Sequence, residues 1–211
     1  MESGKAAVKK CEKRQGVMMD SKLIEFMGMP RSGKTTQINF LKKKLLKKGF
    51  SVKVLGDRVR AARIQTPPAE RIAFELIYFS KALEEYFRYN GKYDYILMDR
   101  GPNDSTIWFD IERILGNCAS KRTSELKKTY WDYRGAAYQT FCMMIDVEMA
   151  IIRHSRTKHM KVDDLAMSKK YLTAIHKAYL LNRKNFHKCT FLNGNDSKND
   201  VHKAILQHLH L

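Results

Sequence analysis

From Lys22 onward, apolar positions alternate between two periods: short unbroken apolar runs, and longer stretches where apolar residues recur at helical spacing. "KLIEFMG", Lys22 to Gly28, is the first run, and it ends on glycine as a buried parallel strand often does. The spacing then predicts a helix from Gly33 to Lys48, closed by Gly49 as a left-handed cap. In that helix Phe40, Leu41, Leu45 and Leu46 are expected to face inward, and the lysines of "KKKLLKK" outward. "FSVKVLG" predicts a second strand, and Thr66-Pro67-Pro68 breaks regular structure. From Ala69 to Tyr89, the apolar residues Ile72, Phe74, Leu76, Ile77, Phe79, Ala82, Leu83, Tyr86 and Phe87 trace a helical stripe, stopped by Asn90-Gly91.

"YDYILMD" is the third strand, with its acid at the carboxyl end, where open parallel sheets place their ligands. Helices are expected near Asn103 to Leu115 and Ser124 to Ala137, then a fourth strand in "QTFCMMIDV" and a short helix through Arg153. The basic segment "RHSRTKHMKVDD" follows, then a long helix from Leu165 to Phe186, a fifth strand in "KCTFLNG" and a closing helix from Asn199 to His210. With no repeat and no linker, the alternation predicts one three-layer α/β/α domain over 22–211, preceded by a basic flexible tail at 1–21.

Composition adds bounds. At 211 residues and 44% hydrophobic, the chain can bury a substantial core without disulfide or metal staples. Cys11, Cys118, Cys142 and Cys189 are scattered without ligand spacing, which fits a reducing, cytoplasmic setting. No apolar run is long enough to span a membrane. The net charge of +18 attracts polyanions, whether nucleotides, nucleic acid or an acidic membrane face, and does not choose among them. A solvated helix face explains the lysine run more readily than a nucleic-acid patch, since no aromatic-rich RNA motif accompanies it.

The candidate chemistry is concentrated in "GMPRSGKT", which satisfies G-x-x-x-x-G-K-[ST] between a predicted strand and a predicted helix. In such a loop, Gly28, Arg31, Ser32, Gly33, Lys34, Thr35 and Thr36 form a phosphate cradle. The glycines let backbone amides curl round the phosphate chain, and the helix start adds partial positive charge. Lys34 is placed for the β/γ oxygens of ATP, and Thr35 offers a hydroxyl to Mg2+. Asp99 stands where a second acid would order that metal's shell. Arg100 beside it can grip an anion, which points to a phosphate on the acceptor. Asp57, just past the second strand, is either a base or acceptor-orienting carboxylate, or a turn-forming residue. Tyr78, Phe79 and Tyr86 read as core, with stacking on an acceptor base as the alternative.

With "GKTTQ" closing the loop, "DR" ending strand three, "DVEMAIIRHSR", and "YLTAIHKAYLL" on a following helix, the chain resembles the thymidylate kinase branch of nucleoside monophosphate kinases. More distantly it resembles the deoxynucleoside kinases. The resemblance implies a five-stranded parallel sheet in the order 2-3-1-4-5, ATP and Mg2+ as cofactors, and a small-molecule nucleotide or nucleoside acceptor. A nucleoside or polynucleotide 5′-hydroxyl kinase, or a nucleotide-hydrolysing regulator, is the alternative activity. The resemblance also implies a lid at about 154–164 supplying Arg153 and Arg156, and a catalytic role for Arg31, since some thymidylate kinases carry an arginine at that place in the loop. Asp57 falls where nucleoside kinases place a glutamate that deprotonates a 5′-hydroxyl. Similar kinases pair through the helices at Ala69 to Tyr89 and Asn103 to Leu115, so a homodimer is among the expectations. The chain departs from the thymidylate pattern at Pro30, where an aspartate is usual, at Gly101 after Asp99-Arg100, and in lacking a matching pyrimidine-reading arginine.

Overall fold

The computed structural model describes residues 20–56, 66, 67, 70–131, 137–156 and 167–211. Within them, strands β1 (Lys22–Gly28), β2 (Val52–Leu55), β3 (Tyr95–Asp99), β4 (Gln139–Met144) and β5 (Cys189–Asn193) form one sheet in the order β2-β3-β1-β4-β5. Every neighbouring pair is parallel, as the unbroken apolar runs predict for strands covered on both faces. The helices are α1 (Lys34–Lys47), α2 (Arg71–Tyr89), α3 (Pro102–Ile114), α4 (Ser120–Trp131), α5 (Val147–Ser155), α6 (Lys169–Leu181) and α7 (Lys198–His208).

Two apolar layers sandwich the sheet. On one face, Ile38, Leu41 and Leu45 of α1 and Val201, Ile205 and Leu209 of the α7 segment cover Ile24, Phe26, Leu97 and Phe141. On the other face, α3 and α6 cover Met27 and Cys142 through Ile107, Ile111, Leu172, Ile175 and Ala178. Ala82 and Tyr86 of α2 cover Leu23, Leu55, Ile96 and Met98 beside them. No helix among the described residues is long and apolar enough to cross a membrane.

Several boundaries differ from expectation for local reasons. Gly49 does close α1, its amide reaching Leu46 O at 3.0 Å, but Leu46 itself is 48% exposed. The helix turns Ile38, Leu41 and Leu45 to the sheet, and a residue one step past Leu45 is carried out by about 100°. In α2 the buried stripe is Arg71, Glu75, Tyr78, Phe79, Ala82 and Tyr86, while Ile77 and Phe87 face out. Helix α6 starts at Lys169, where Ser168 Oγ accepts from Tyr171 N, and gives way to a 3-10 turn at Arg183–Asn185, so it is shorter than its apolar pattern suggests. Strand β4 stops at Met144, and Asp146 becomes the N-cap position of α5. Of the basic tail, Asp20 and Ser21 are tied down: Ser21 N donates to Asn90 Oδ1 at 2.8 Å, and Asn90 Nδ2 to Asp20 Oδ1 at 2.8 Å.

Candidate active site

The site is built at the carboxyl ends of β1 and β3, on either side of the point where the chain crosses from one half of the sheet to the other. Phe26 pairs with Asp99 and Gly28 with Met143, so the loop after β1 leaves the sheet between β3 and β4. At Gly28 the φ is +119°, and a Cβ there would lie 2.2 Å from Met143 O. Only glycine lets the loop start this close to β4. Gly33 (φ +94°) is the last residue before α1, so the helix amides open onto the loop.

Inside the loop, Lys34 Nζ donates to Met29 O at 2.7 Å and to Gly28 O at 3.2 Å, and only 8% of the residue is exposed. Thr35 Oγ1 donates to Asp99 Oδ2 at 2.8 Å, which places the two predicted metal-holding oxygens side by side. One carboxylate plus one hydroxyl, with the remaining positions left to water and phosphate, suits a small hard cation such as Mg2+.

Arg31 sits at the tip of the loop with φ 60°, a left-handed backbone that non-glycine residues seldom adopt. Its guanidinium donates to His154 Nδ1 at 2.8 Å, and its carbonyl accepts from Arg153 NH1 at 3.2 Å. The last turn of α5 is thus brought to the phosphate loop. Arg156 follows as the exposed C-cap of that helix. Ser32 is buried against the turn after β5: a Cβ on Gly194 would lie 3.1 Å from Ser32 O. Asp57 and most of the expected lid lie outside the described residues.

Arg100 is gripped by partners within the chain. The anion it meets is the chain's own Asp104: NH1 donates to Oδ2 at 2.9 Å and Oδ1 at 3.1 Å, and NH2 donates to Gly28 O at 3.3 Å. Its guanidinium also lies 5.8 Å from the centre of the Trp108 ring. Asp104 is fully buried, and it further accepts from Trp108 Nε1 at 2.9 Å and from Tyr179 OH. Tyr179 OH accepts in turn from Gly28 N at 3.1 Å. Both backbone groups of Gly28 are therefore held by a buried polar network reaching from α3 to α6. Burial, together with the Asp104 charge, pushes the Tyr179 phenol well above its ordinary range, so it stays protonated and can donate.

A second buried acid supports the same helix. Glu25, in the middle of β1, accepts from Gly101 N (3.0 Å), Asn103 N (3.2 Å), Asn103 Nδ2 (3.0 Å) and Asp104 N (2.9 Å). It caps the N-terminus of α3 from the sheet and fixes where Arg100 and Asp104 stand. Desolvation pushes its carboxyl up to about 7, against the pull of those amides. Glu25, Asp104, Trp108, Tyr179 and His154 were not singled out as site residues by sequence reasoning. The signals were there in part, as a glutamate inside an apolar strand and an aspartate and tryptophan four apart just after "DR". Burial raises the Cys142 thiol well above its ordinary value and the Cys189 thiol to about 12, so both stay protonated.

Beside Arg100 a cleft opens between α2 and the ends of β2 and β3, lined by Leu55, Gly56, Tyr78, Lys81, Glu85 and Met98. Tyr78 OH donates to Arg100 O at 3.2 Å, so the ring is a wall of this cleft and also part of the core.

This arrangement, a parallel sheet in the order 2-3-1-4-5 with a phosphate loop after its central strand, is the P-loop kinase fold. Among solved structures the chain is similar to deoxyadenosine kinase from M. mycoides. With dATP bound, that enzyme superposes at a TM-score of 0.66 and 14% identity, over 89% of this chain and 99% of the other. Its dCTP form gives 0.64 and 14%, over 89% and 98%. The form with products dCMP and a flexible dCDP gives 0.63 and 16%, again over 89% and 98%. No family model matches the chain. No curated protein matches it in sequence.

Proposed function

We propose that the chain is a Mg-ATP-dependent kinase that moves the γ-phosphoryl of ATP to the 5′-hydroxyl of a nucleoside. The observation that carries this is the Thr35 Oγ1–Asp99 Oδ2 pair beside the Lys34 ammonium in the loop after β1, with a small recess at Gly56, Tyr78 and Arg100 next to it on the same edge of the sheet. The fold neighbours support a deoxyribonucleoside, since the nucleotides bound to them are dATP, dCTP, dCMP and dCDP.

In this reading the backbone around Ser32, Gly33 and Thr36 cradles the ATP phosphates, and Lys34 exchanges its loop carbonyls for β/γ oxygens. Thr35 and Asp99 would hold Mg2+, which when bound neutralises charge on the phosphate chain. The acceptor O5′ forms a bond to Pγ as the bond from Pγ to the β-γ bridging oxygen breaks, and ADP leaves. Asp57, one residue past Gly56 of the cleft, takes the hydroxyl proton. Arg31, with Arg153 and Arg156 from the end of α5, faces the negative charge spread over the equatorial oxygens.

A second reading, a nucleoside monophosphate as acceptor, draws support from Arg100, which lines the cleft. Against it stands the pairing of that guanidinium with buried Asp104, which leaves it less charge to offer a second phosphate. An acceptor panel of nucleosides and monophosphates, followed by ADP release and mass of the product, separates the two. Release with nucleosides supports the proposal, and release with monophosphates alone supports the second reading. ADP formed at the same rate without any acceptor contradicts both.

A further inference from the structure

Arg31 is held by a residue that no part of the phosphate-loop pattern specifies. We propose that His154 is the positioning residue that aims the Arg31 guanidinium, an inference that rests on the kinase reading above. Arg31 NH2 lies 2.8 Å from His154 Nδ1, and the two residues are 123 positions apart in the chain. A guanidinium has donors only, so Nδ1 is the acceptor, the ring is neutral and its proton is on Nε2.

The neighbour of His154 completes the grip. Arg153 NH1 donates to Arg31 O at 3.2 Å, so the last turn of α5 takes Arg31 by its backbone and by the end of its side chain. Arg153 and Arg156 flank His154 along this turn, and Arg31 meets it from the loop. A neutral acceptor here fixes the Arg31 guanidinium without neutralising it, whereas a carboxylate would hold Arg31 as an ion pair and offset the charge it brings to the phosphoryl group. His154 thus keeps Arg31 both oriented and fully charged.

A guanidinium set loose by as little as 1 Å can cost about a hundredfold in rate. His154→Ala is therefore expected to lower the single-turnover rate of phosphoryl transfer by about 10- to 100-fold, with the KM for ATP changed by less than about threefold. His154→Asn, whose side-chain oxygen can replace Nδ1 as acceptor, should recover most of that loss. In an Arg31→Ala background, His154→Ala should cost less than about twofold more, because the group it aims is gone. A full second loss in that background, or an Asn variant as slow as the Ala variant, overturns the proposal. The nitrogen-15 spectrum of the imidazole tests the contact without reference to turnover. In the wild-type chain the neutral His154 ring should show an unprotonated Nδ1, and that signal should move on Arg31→Ala. An unmoved signal overturns the proposal, even if the chain proves an active kinase. A moved signal in a chain that transfers no phosphoryl group would fault the kinase reading and leave the contact standing.

Discussion

Replacing Asp104 by asparagine tests the buried network beneath the phosphate loop. The side chain is fully buried, and its partners are all donors: Arg100 NH1, Trp108 Nε1 and Tyr179 OH. Asparagine keeps the shape but removes the charge, and it turns an NH2 group toward one of those donors. Breaking one side of a buried ion pair costs about 3–5 kcal/mol, because the remaining charge is left uncompensated. The lower end applies here, since one carbonyl oxygen survives to accept from Arg100. For a domain of this size each kcal/mol moves the melting temperature by about 2–4 °C. About 3 kcal/mol therefore predicts a fall of roughly 6–12 °C in thermal unfolding, matched by a lower urea midpoint at unchanged m. Glu84→Gln is the control: its i,i+4 pair with Arg88 lies on the exposed face of α2, both side chains are largely exposed, and its loss should be hardly measurable. An Asp104→Asn protein no less stable than this control would refute the reasoning.

Two further outcomes follow from the same geometry. The Glu25 carboxyl is raised to about 7 by burial, so the unfolded chain releases that proton first, and the group's contribution to stability falls as pH rises between about 4.5 and 7. Urea unfolding across that window should show wild-type stability declining, relative to Glu25→Gln, by up to about 3 kcal/mol; parallel curves would contradict it. Gly28→Ala would press a Cβ to 2.2 Å from Met143 O at φ +119°, so at least about 2 kcal/mol of stability should be lost, and a variant melting like the wild type would show that the loop does not start against β4 as described.

What the sequence made legible was what neighbours in the chain determine. Buried parallel strands need unbroken apolar runs, so the five strands and their order of appearance were readable from Lys22 to Asn193. The phosphate loop was readable because its function depends on local backbone and on residues a few places apart. Which strands adjoin came from the resemblance, not from periodicity. Helical phase was less secure: an apolar-looking position such as Leu46, Ile77 or Phe87 can lie just off the buried stripe, and only packing decides. The support of the site was not legible, because its partners are remote. Tyr179 reaches Gly28 across 151 positions, and Glu25 reaches Asn103 across 78. Arg100 differs, since its partner Asp104 is only four residues on and within helical reach, so that pair could have been read locally.

The central claim is that this loop carries phosphoryl transfer to a nucleoside. The most direct measurement follows label from γ-labelled ATP into nucleoside 5′-monophosphate for the wild-type chain and for Lys34→Ala, with circular dichroism and melting confirming that both are folded. The account predicts labelled monophosphate from the wild type and at least a hundredfold less from the variant, on the order expected when a charge aimed at the transferring group is removed. Equal transfer by a folded Lys34→Ala protein, or no transfer to any nucleoside by the wild type, would contradict it.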